Sequence, residues 1–359
     1  MIMNNLLLSN FHATQGSAFI EVAGYNVPAH YRGLAEEFET ARTLAITDRS
    51  FAGKLCVYGK DRVSLLHRLT TNEMRYLKPG EGIVNIFTNA KGRVVDVVEM
   101  FMEAESIFML TSPGRADILK AWVEKYTFIE EVRCEDITSQ YSLIGLLGDK
   151  SLFSLQRLFG WKVESLPVQH AKTFVWESQQ VIVHRSGSIA PAAFHLIAPA
   201  AVATQLWERL VAAVKPVGYS AYEMLRIHRG LPAVGREITD EYNPHEVGLY
   251  PFINFEKGCY IGQEVVARLD TYQKVQRQLA GVNLITETSG EKDWHGASAP
   301  IYAGEQHVGH LSSVCFSPAR GHAIGLAVIR KQFAAQDEPV EIRWPKRAVA
   351  ASIQRLPFV

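Results

Sequence analysis

A change of pattern near residue 272 divides this chain into two parts that must fold differently. Before it, alternating apolar segments are interleaved with helical patterns; after it, short apolar runs such as 278–284 and 310–316 are separated by Gly, Pro and polar residues. Short strands of that kind are typical of a small β-barrel or sandwich. We therefore predict a C-terminal β domain over residues 273–359, either a small barrel or a sandwich, with the boundary near 272–278.

The first part, residues 1–272, has the pattern of an α+β region. Strands are expected at 54–58, 83–88, 93–102, 107–111 and from 141 to 147, and helices at 34–42, 62–70, 113–126, 200–214 and 220–228. Asp61 is predicted to cap the second helix and Pro113 to occupy the first turn of the third. The order strand, helix, strands, helix indicates one α+β module over 51–135, not a doubly wound sheet.

Composition excludes several classes of protein. The 359 residues contain 37 Lys plus Arg and 37 Asp plus Glu, and this balance argues against a chain built to coat nucleic acid or an anionic membrane. The four cysteines lie far apart without a C-x-x-C pair, which favours a reducing compartment, and we expect a cytoplasmic protein. The uncharged segment 186–207 contains Pro191 and Pro199, so we predict a strand, a proline turn and a helix there, with no membrane contact.

The motif scan finds no phosphate-binding glycine loop, zinc-binding helix or nucleophile elbow. The histidines are dispersed along the chain. The closest grouping, His307 and His310, falls in the expected barrel, where a surface or core role is favoured over metal binding. We therefore expect no metal site.

The densest group of polar residues is the segment EKGCYIGQEVVAR at 256–268. Gly258 and Gly262 allow a sharp turn. Cys259 lies two positions after Lys257, and a nearby ammonium favours the thiolate. The functional interpretation is a reactive thiol beside polar groups that can fix an amide or a cation. The alternative is a tight turn leading into a helix, with Cys259 as a small buried residue.

The run KGCYxGQE at 257–264 resembles the signature of the YgfZ-type folate-binding proteins, relatives of the glycine-cleavage T-protein. Three further stretches resemble other elements of that family, and the resemblance covers nearly the whole chain: GKDRV at 59–63, NAKGR at 89–93 and LRIHRGLP at 225–232. It implies a GcvT-like three-module architecture, with two intertwined α+β folate-binding modules around a central channel and a C-terminal β-barrel. It also implies tetrahydrofolate or a derivative as the cofactor.

Two branches of this family imply different functions. The YgfZ-type branch implies support of iron–sulfur cluster assembly or repair, with iron–sulfur proteins as partners, a linked role in tRNA modification and at most indirect or weak tRNA contact. The T-protein branch implies an aminomethyltransferase that passes a one-carbon unit to tetrahydrofolate. Asp96 matches the T-protein aspartate, but Pro191 replaces a pterin-binding glutamate and Tyr222 replaces an arginine that meets the folate tail. These two departures favour the YgfZ-type branch.

The resemblance implies a set of site residues, and it leaves open whether any reaction is catalysed. Cys259 and Asp96 are the expected catalytic groups, and the expected folate contacts are Asp96, Tyr222, Arg226, Lys257, Tyr260, Gln263 and Glu264. Structural roles remain as alternatives: Asp96 as a turn cap or a partner of Arg93, Tyr222 as a packing residue, and Arg226 as a partner of Glu223.

A third hypothesis, direct binding of tRNA, is opposed by two observations. The charge balance is even, and no strand carries the aromatic pattern of an RNA-recognition motif.

Overall fold

The computed structural model describes residues 3–187, 191–285, 298–345 and 347–358. The chain forms two compact units. The first unit comprises Met1–Phe87, Asp96–Tyr222 and Glu256–Tyr260, and the second comprises Thr88–Val95, Glu223–Phe255 and Ile261–Val359.

The elements follow one another along the chain with short connections. The helices are α1 (Ser9–Thr14), α2 (Leu34–Thr43), α3 (Arg62–Leu69), α4 (Ala116–Lys125), α5 (Ser151–Phe159), α6 (Ala200–Val211), α7 (Tyr219–His228) and α8 (Gln263–Thr271). The strands before residue 200 are β1 (Asn4–Asn5), β2 (Ala18–Val22), β3 (Tyr25–His30), β4 (Ala45–Asp48), β5 (Lys54–Tyr58), β6 (Gly82–Thr88), β7 (Val94–Met102), β8 (Ser106–Leu110), β9 (Arg133–Asp136), β10 (Tyr141–Leu147), β11 (Ala171–Trp176), β12 (Gln179–His184) and β13 (Phe194–Pro199). The later strands are β14 (Arg277–Leu284), β15 (Ala299–Ala303), β16 (Gln306–Ser317), β17 (His322–Arg330), β18 (Pro339–Trp344) and β19 (Arg347–Gln354).

Two five-stranded sheets form the centre of the first unit. One has the strand order β6-β7-β8-β5-β9 and the other the order β11-β12-β13-β10-β4. Their facing sides share a buried apolar cluster: Ala52, Cys56, Phe101, Phe108, Leu110, Ile137, Leu143, Ala171 and Ile197. The two sheets are therefore packed face to face, and apolar burial there is a main source of cohesion.

Helices cover the outer face of each sheet. Helices α3 and α4 contact β8 and β5 of the first sheet. The second sheet buries its other face under α5 and α6, where Leu155, Leu206 and Trp207 pack against Ile144 and Leu196. Each sheet with its helices is an α+β module, and the two modules give the first unit four layers.

The second unit contains a closed six-stranded barrel with the order β14-β17-β16-β15-β18-β19. Its interior is apolar and includes Val282, Ile301, Leu311, Ile342 and Ile353, each at most 1% exposed. Closure removes the unpaired strand edges that an open sheet would present. The α+β modules and the C-terminal barrel that the sequence predicted are confirmed.

The elements that the sequence predicts in residues 1–272 lie within a few residues of the observed ones, with differences at two helix starts. The sequence pattern does not predict β1 to β4, β9, β11, β12, α1 and α5. The Asp61 side chain does not cap α3; its Oδ2 instead accepts a hydrogen bond from the Glu131 amide, 2.9 Å away. The helix predicted from Pro113 begins only at Ala116, because the chain first makes a turn at Gly114, where φ is 72°.

The uncharged segment 186–207 forms β13, the turn at Pro199 and the start of α6. Residues 188–190 lie outside the described part of the chain. None of the helices that the structure describes has the length and hydrophobicity needed to span a bilayer.

The interface between the two sheets provides a stability test. Phe101 is fully buried and stacks on Phe108 with ring centroids 4.9 Å apart. We expect Phe101→Ala to lower the free energy of unfolding by about 3–5 kcal/mol, because it leaves a cavity between the sheets. Urea unfolding checks this value, with Phe128→Ala as the control, since Phe128 is 82% exposed. Equal losses in the two variants would contradict the packing described here.

Candidate functional site

The first half of the signature segment is fixed by Lys257. Its ammonium donates hydrogen bonds to the backbone carbonyls of His67, Thr70 and Asn72, at 2.7, 2.6 and 2.9 Å. These carbonyls belong to the end of α3 and the residues after it. Burial lowers the pKa of Lys257 to about 7. The lysine therefore anchors the segment 256–260, and its donors are used on the backbone instead of on the neighbouring thiol.

Cys259 is exposed on this anchored segment, whereas Cys56, Cys134 and Cys315 are buried. Burial raises the pKa of the Cys134 and Cys315 thiols to well above the ordinary value. The alternative of a buried Cys259 is therefore wrong, although a tight turn does lead into a helix. Tyr260, the next residue, is buried, and the Lys257 ammonium lies 5.3 Å from its ring centroid.

The second half of the signature belongs to the second unit and starts α8. Gly262 precedes the helix with φ of 83°, and a Cβ there would lie 2.4 Å from the Asn89 carbonyl oxygen. Only glycine fits that position without displacing backbone. Gln263 and Glu264 then occupy the first turn of α8, where the carboxylate complements the helix dipole.

Asp96 lies in β7 with no exposed surface. Its Oδ1 accepts a hydrogen bond from the Val97 amide at 2.8 Å, and its Oδ2 accepts one from the Ser112 amide at 3.1 Å. Burial raises its pKa to about 6, although the bonds from Ser112 and Val97 oppose that rise. Asp96 therefore has no exposed surface with which to contact a folate, in contrast to its expected role. It holds β7 to the chain after β8.

Tyr222 and Arg226, neighbours on α7, both have structural contacts. Tyr222 is 3% exposed, and the guanidinium of Arg49 lies 4.0 Å from its ring centroid. In the second unit, the Arg226 guanidinium binds the carboxylates of Glu223 and Glu237 at 2.9 and 3.2 Å. It also donates to the Ser313 hydroxyl in the barrel at 2.7 Å. These contacts agree with the structural roles given above as alternatives, namely packing for Tyr222 and pairing with Glu223 for Arg226.

A polar cluster that the sequence did not predict lies between the two sheets of the first unit. Glu99 of β7 faces His184 of β12 and His195 of β13, with its Oε2 atom 3.8 and 3.4 Å from their Nδ1 atoms. Its Oε1 accepts a hydrogen bond from the Ser186 hydroxyl at 2.6 Å. All four residues are at least 95% buried.

Titration in this cluster is governed by burial and by the close approach of its members. Burial lowers the pKa of His184 to about 4, which makes the imidazole neutral at pH 7. Burial alone would raise the pKa of Glu99, but His184 and His195 outweigh that effect and the pKa is lowered. No spacing in the sequence links residues 85 and 11 positions apart. Pairing of β12 with β13 sets His184 opposite His195, and the packing of the two sheets brings Glu99 to them.

In the second unit, the barrel and the segment 235–242 enclose a pocket of about 530 Å³. His307 and His310 both line it, together with Arg236, Arg277 and Arg330. The Nε2 atom of His310 lies 3.1 Å from the Ser298 hydroxyl. The two histidines therefore belong to a pocket wall.

Family models match both parts of the chain. The GCVT N-terminal domain matches residues 8–257, and the glycine cleavage T-protein C-terminal barrel domain matches residues 277–359. The chain belongs to the glycine cleavage T-protein family. This membership confirms the family resemblance at its broader level, and it does not choose between the YgfZ-type and T-protein branches.

Similar proteins carry transferase names. An aminomethyltransferase of Chlorobium phaeovibrioides is 27% identical over 366 residues, covering 99% of both chains. A putative chloroplastic transferase of Arabidopsis thaliana is 29% identical over 301 residues, covering 83% of this chain and 68% of the relative. The glycine cleavage system aminomethyltransferase T of Bartonella henselae has the same fold, with a TM-score of 0.87 at 22% identity and coverage of 99% and 98%. The GcvT-like architecture is thus confirmed.

Asp96 provides a pH-dependent test of its structural role. Its folded pKa of about 6 exceeds the ordinary value of 3.8, so the folded state binds more protons between these values. Stability from this group is therefore full below pH 3.8 and is lost as the pH rises through 6. Relative to Asp96→Asn, we expect the wild-type free energy of unfolding to fall by roughly 2 kcal/mol between pH 4 and pH 7. Urea unfolding at each pH measures the difference in free energy of unfolding between the wild type and Asp96→Asn. A difference that stays constant with pH would contradict the raised pKa of Asp96.

Proposed function

We propose that this chain binds tetrahydrofolate or a derivative and that the Cys259 thiol is its working group. The role is that of the YgfZ-type branch, in assembly or repair of iron–sulfur clusters with a linked role in tRNA modification. One observation carries this proposal: Cys259 is the exposed cysteine, on a segment that Lys257 anchors through three hydrogen bonds. The folate-binding region is assigned to residues 1–272, and the site of action to the cytoplasm.

A second candidate function is tetrahydrofolate-dependent aminomethyl transfer. The names of the relatives support it more directly than the first, because they describe transferases, including aminomethyltransferases matched over at least 98% of both chains. The iron–sulfur and tRNA roles rest on the KGCYxGQE signature alone.

The contacts of the described residues argue against efficient glycine cleavage by this chain. Asp96 is buried, and each of its carboxylate oxygens accepts a hydrogen bond from a backbone amide, so it offers no exposed surface to a folate. Pro191 has no side-chain acceptor for a pterin, and Tyr222 has no charge for a folate tail. Small misplacements of a bound reactant can cost about 100-fold in rate. We therefore rank the thiol-based function first.

Folate binding is common to both functions and is tested first. Titration calorimetry of the full chain with tetrahydrofolate is expected to give a binding free energy of about −8 kcal/mol, the value for a Kd near 1 μM. Absence of heat up to millimolar folate would contradict both functions.

A second experiment separates the two functions. In a cell lacking its own YgfZ-type protein, the wild-type chain should restore iron–sulfur enzyme activity and Cys259→Ser should not. Glu256→Gln, which changes an exposed residue of the same segment, serves as the matched control and should restore it. Reconstitution with the glycine-cleavage partners should give little methylene-tetrahydrofolate. Turnover equal to that of a T-protein, unchanged by Cys259→Ser, would establish the second function instead.

A further inference from the structure

The cluster of Glu99, His184 and His195 has the composition of a metal-binding site. Each residue offers one ligand atom, and these three atoms all lie within 4.8 Å of one another. Two imidazoles and one carboxylate form a donor set that suits divalent first-row transition metals and leaves coordination positions open.

The separations are close to those that a bound ion requires. Metal–ligand bonds of about 2.0–2.2 Å place neighbouring ligand atoms of a tetrahedral centre roughly 3.4 Å apart. The Oε2 atom of Glu99 is 3.4 Å from Nδ1 of His195 and 3.8 Å from Nδ1 of His184. Small side-chain rotations therefore bring all three atoms into bonding range of one ion, without a change in strand pairing.

Unsatisfied polar atoms give a second, independent indication of a ligand. Among the residues that the structure describes, neither ring nitrogen of His184 or His195 has a hydrogen-bond partner, although both rings are at least 95% buried. The Oε1 atom of Gln169 is unsatisfied too, and its Nε2 atom lies 3.5 Å from Glu99. Buried polar atoms without partners are costly, and native structures usually satisfy them with protein groups, water or ions.

The surroundings hold the two imidazoles in place. The His184 ring stacks on Phe101 with centroids 5.4 Å apart and an angle of 25° between the ring planes. The His184 and His195 rings lie nearly parallel, with centroids 6.0 Å apart. Ser186 fixes the other carboxylate oxygen of Glu99 by donating its hydroxyl proton. Such outer contacts orient metal ligands before an ion binds.

We propose that Glu99, His184 and His195 form a buried binding site for a divalent first-row transition metal such as Zn²⁺. The ion joins β7 of one sheet to β12 and β13 of the other. This site does not depend on folate binding or on Cys259, so its test is independent of the proposed function.

The test uses the full chain, stripped with a chelator and titrated with Zn²⁺ or Co²⁺. We expect one ion per chain, and at least 100-fold weaker binding in Glu99→Gln and in His195→Gln. His30→Gln is the matched control, because it removes an exposed histidine of the same unit and should leave the affinity unchanged. Equal binding by all four proteins would mean an adventitious ion only and would overturn the proposal, as would absence of binding by the wild type.

A second measurement keeps the proposal testable if the variants fail to fold. X-ray absorption of the Zn²⁺-loaded wild-type chain should show a first shell of nitrogen and oxygen with the scattering pattern of two imidazoles. A sulfur ligand would assign the ion to a thiol such as exposed Cys259 and would overturn the proposed site.

Discussion

The face-to-face packing of two five-stranded sheets is the interaction on which the first unit depends. Phe101, Phe108 and Ile197 are fully or almost fully buried between these sheets, and their removal from water provides the cohesion. The same packing removes water from every polar group that lies between or beside the sheets. A carboxylate or imidazole there must find a partner in the protein or bind a ligand. The roles of Asp96 and Glu99 follow from that constraint.

These two carboxylates on β7 satisfy the constraint in different ways. Asp96 accepts hydrogen bonds from two backbone amides, one of which belongs to the chain after β8, while burial raises its pKa. Glu99 is surrounded by side chains, two of which carry unsatisfied ring nitrogens. Glu99, three residues along β7 from Asp96, is therefore the carboxylate of this strand that lies among titratable side chains.

Anchoring by Lys257 explains how a thiol stays exposed on a well-ordered segment. Three short hydrogen bonds attach the lysine to the carbonyls that follow α3, which fixes the path of residues 256–260. Cys259 can then face solvent on a segment whose path is fixed by its neighbour. At Tyr222, the Arg49 guanidinium lies over the ring. A residue from another part of the chain thus places a positive charge beside this side chain.

Local pattern in the sequence determined much of this protein. The alternation in 54–58 and 141–147 predicts the observed strands. The short apolar runs after residue 272 predict the short strands of a barrel or sandwich, and the glycines of KGCYxGQE predict a turn before a helix. These features depend on neighbours in the chain, so sequence alone reveals them. Tertiary structure decided the rest. The burial of Asp96, the backbone partners of Lys257 and the meeting of Glu99 with His184 and His195 all depend on which strands pair and which sheets face each other. Residues 85 positions apart carry no local signal of that meeting, because it is created by the packing of two sheets.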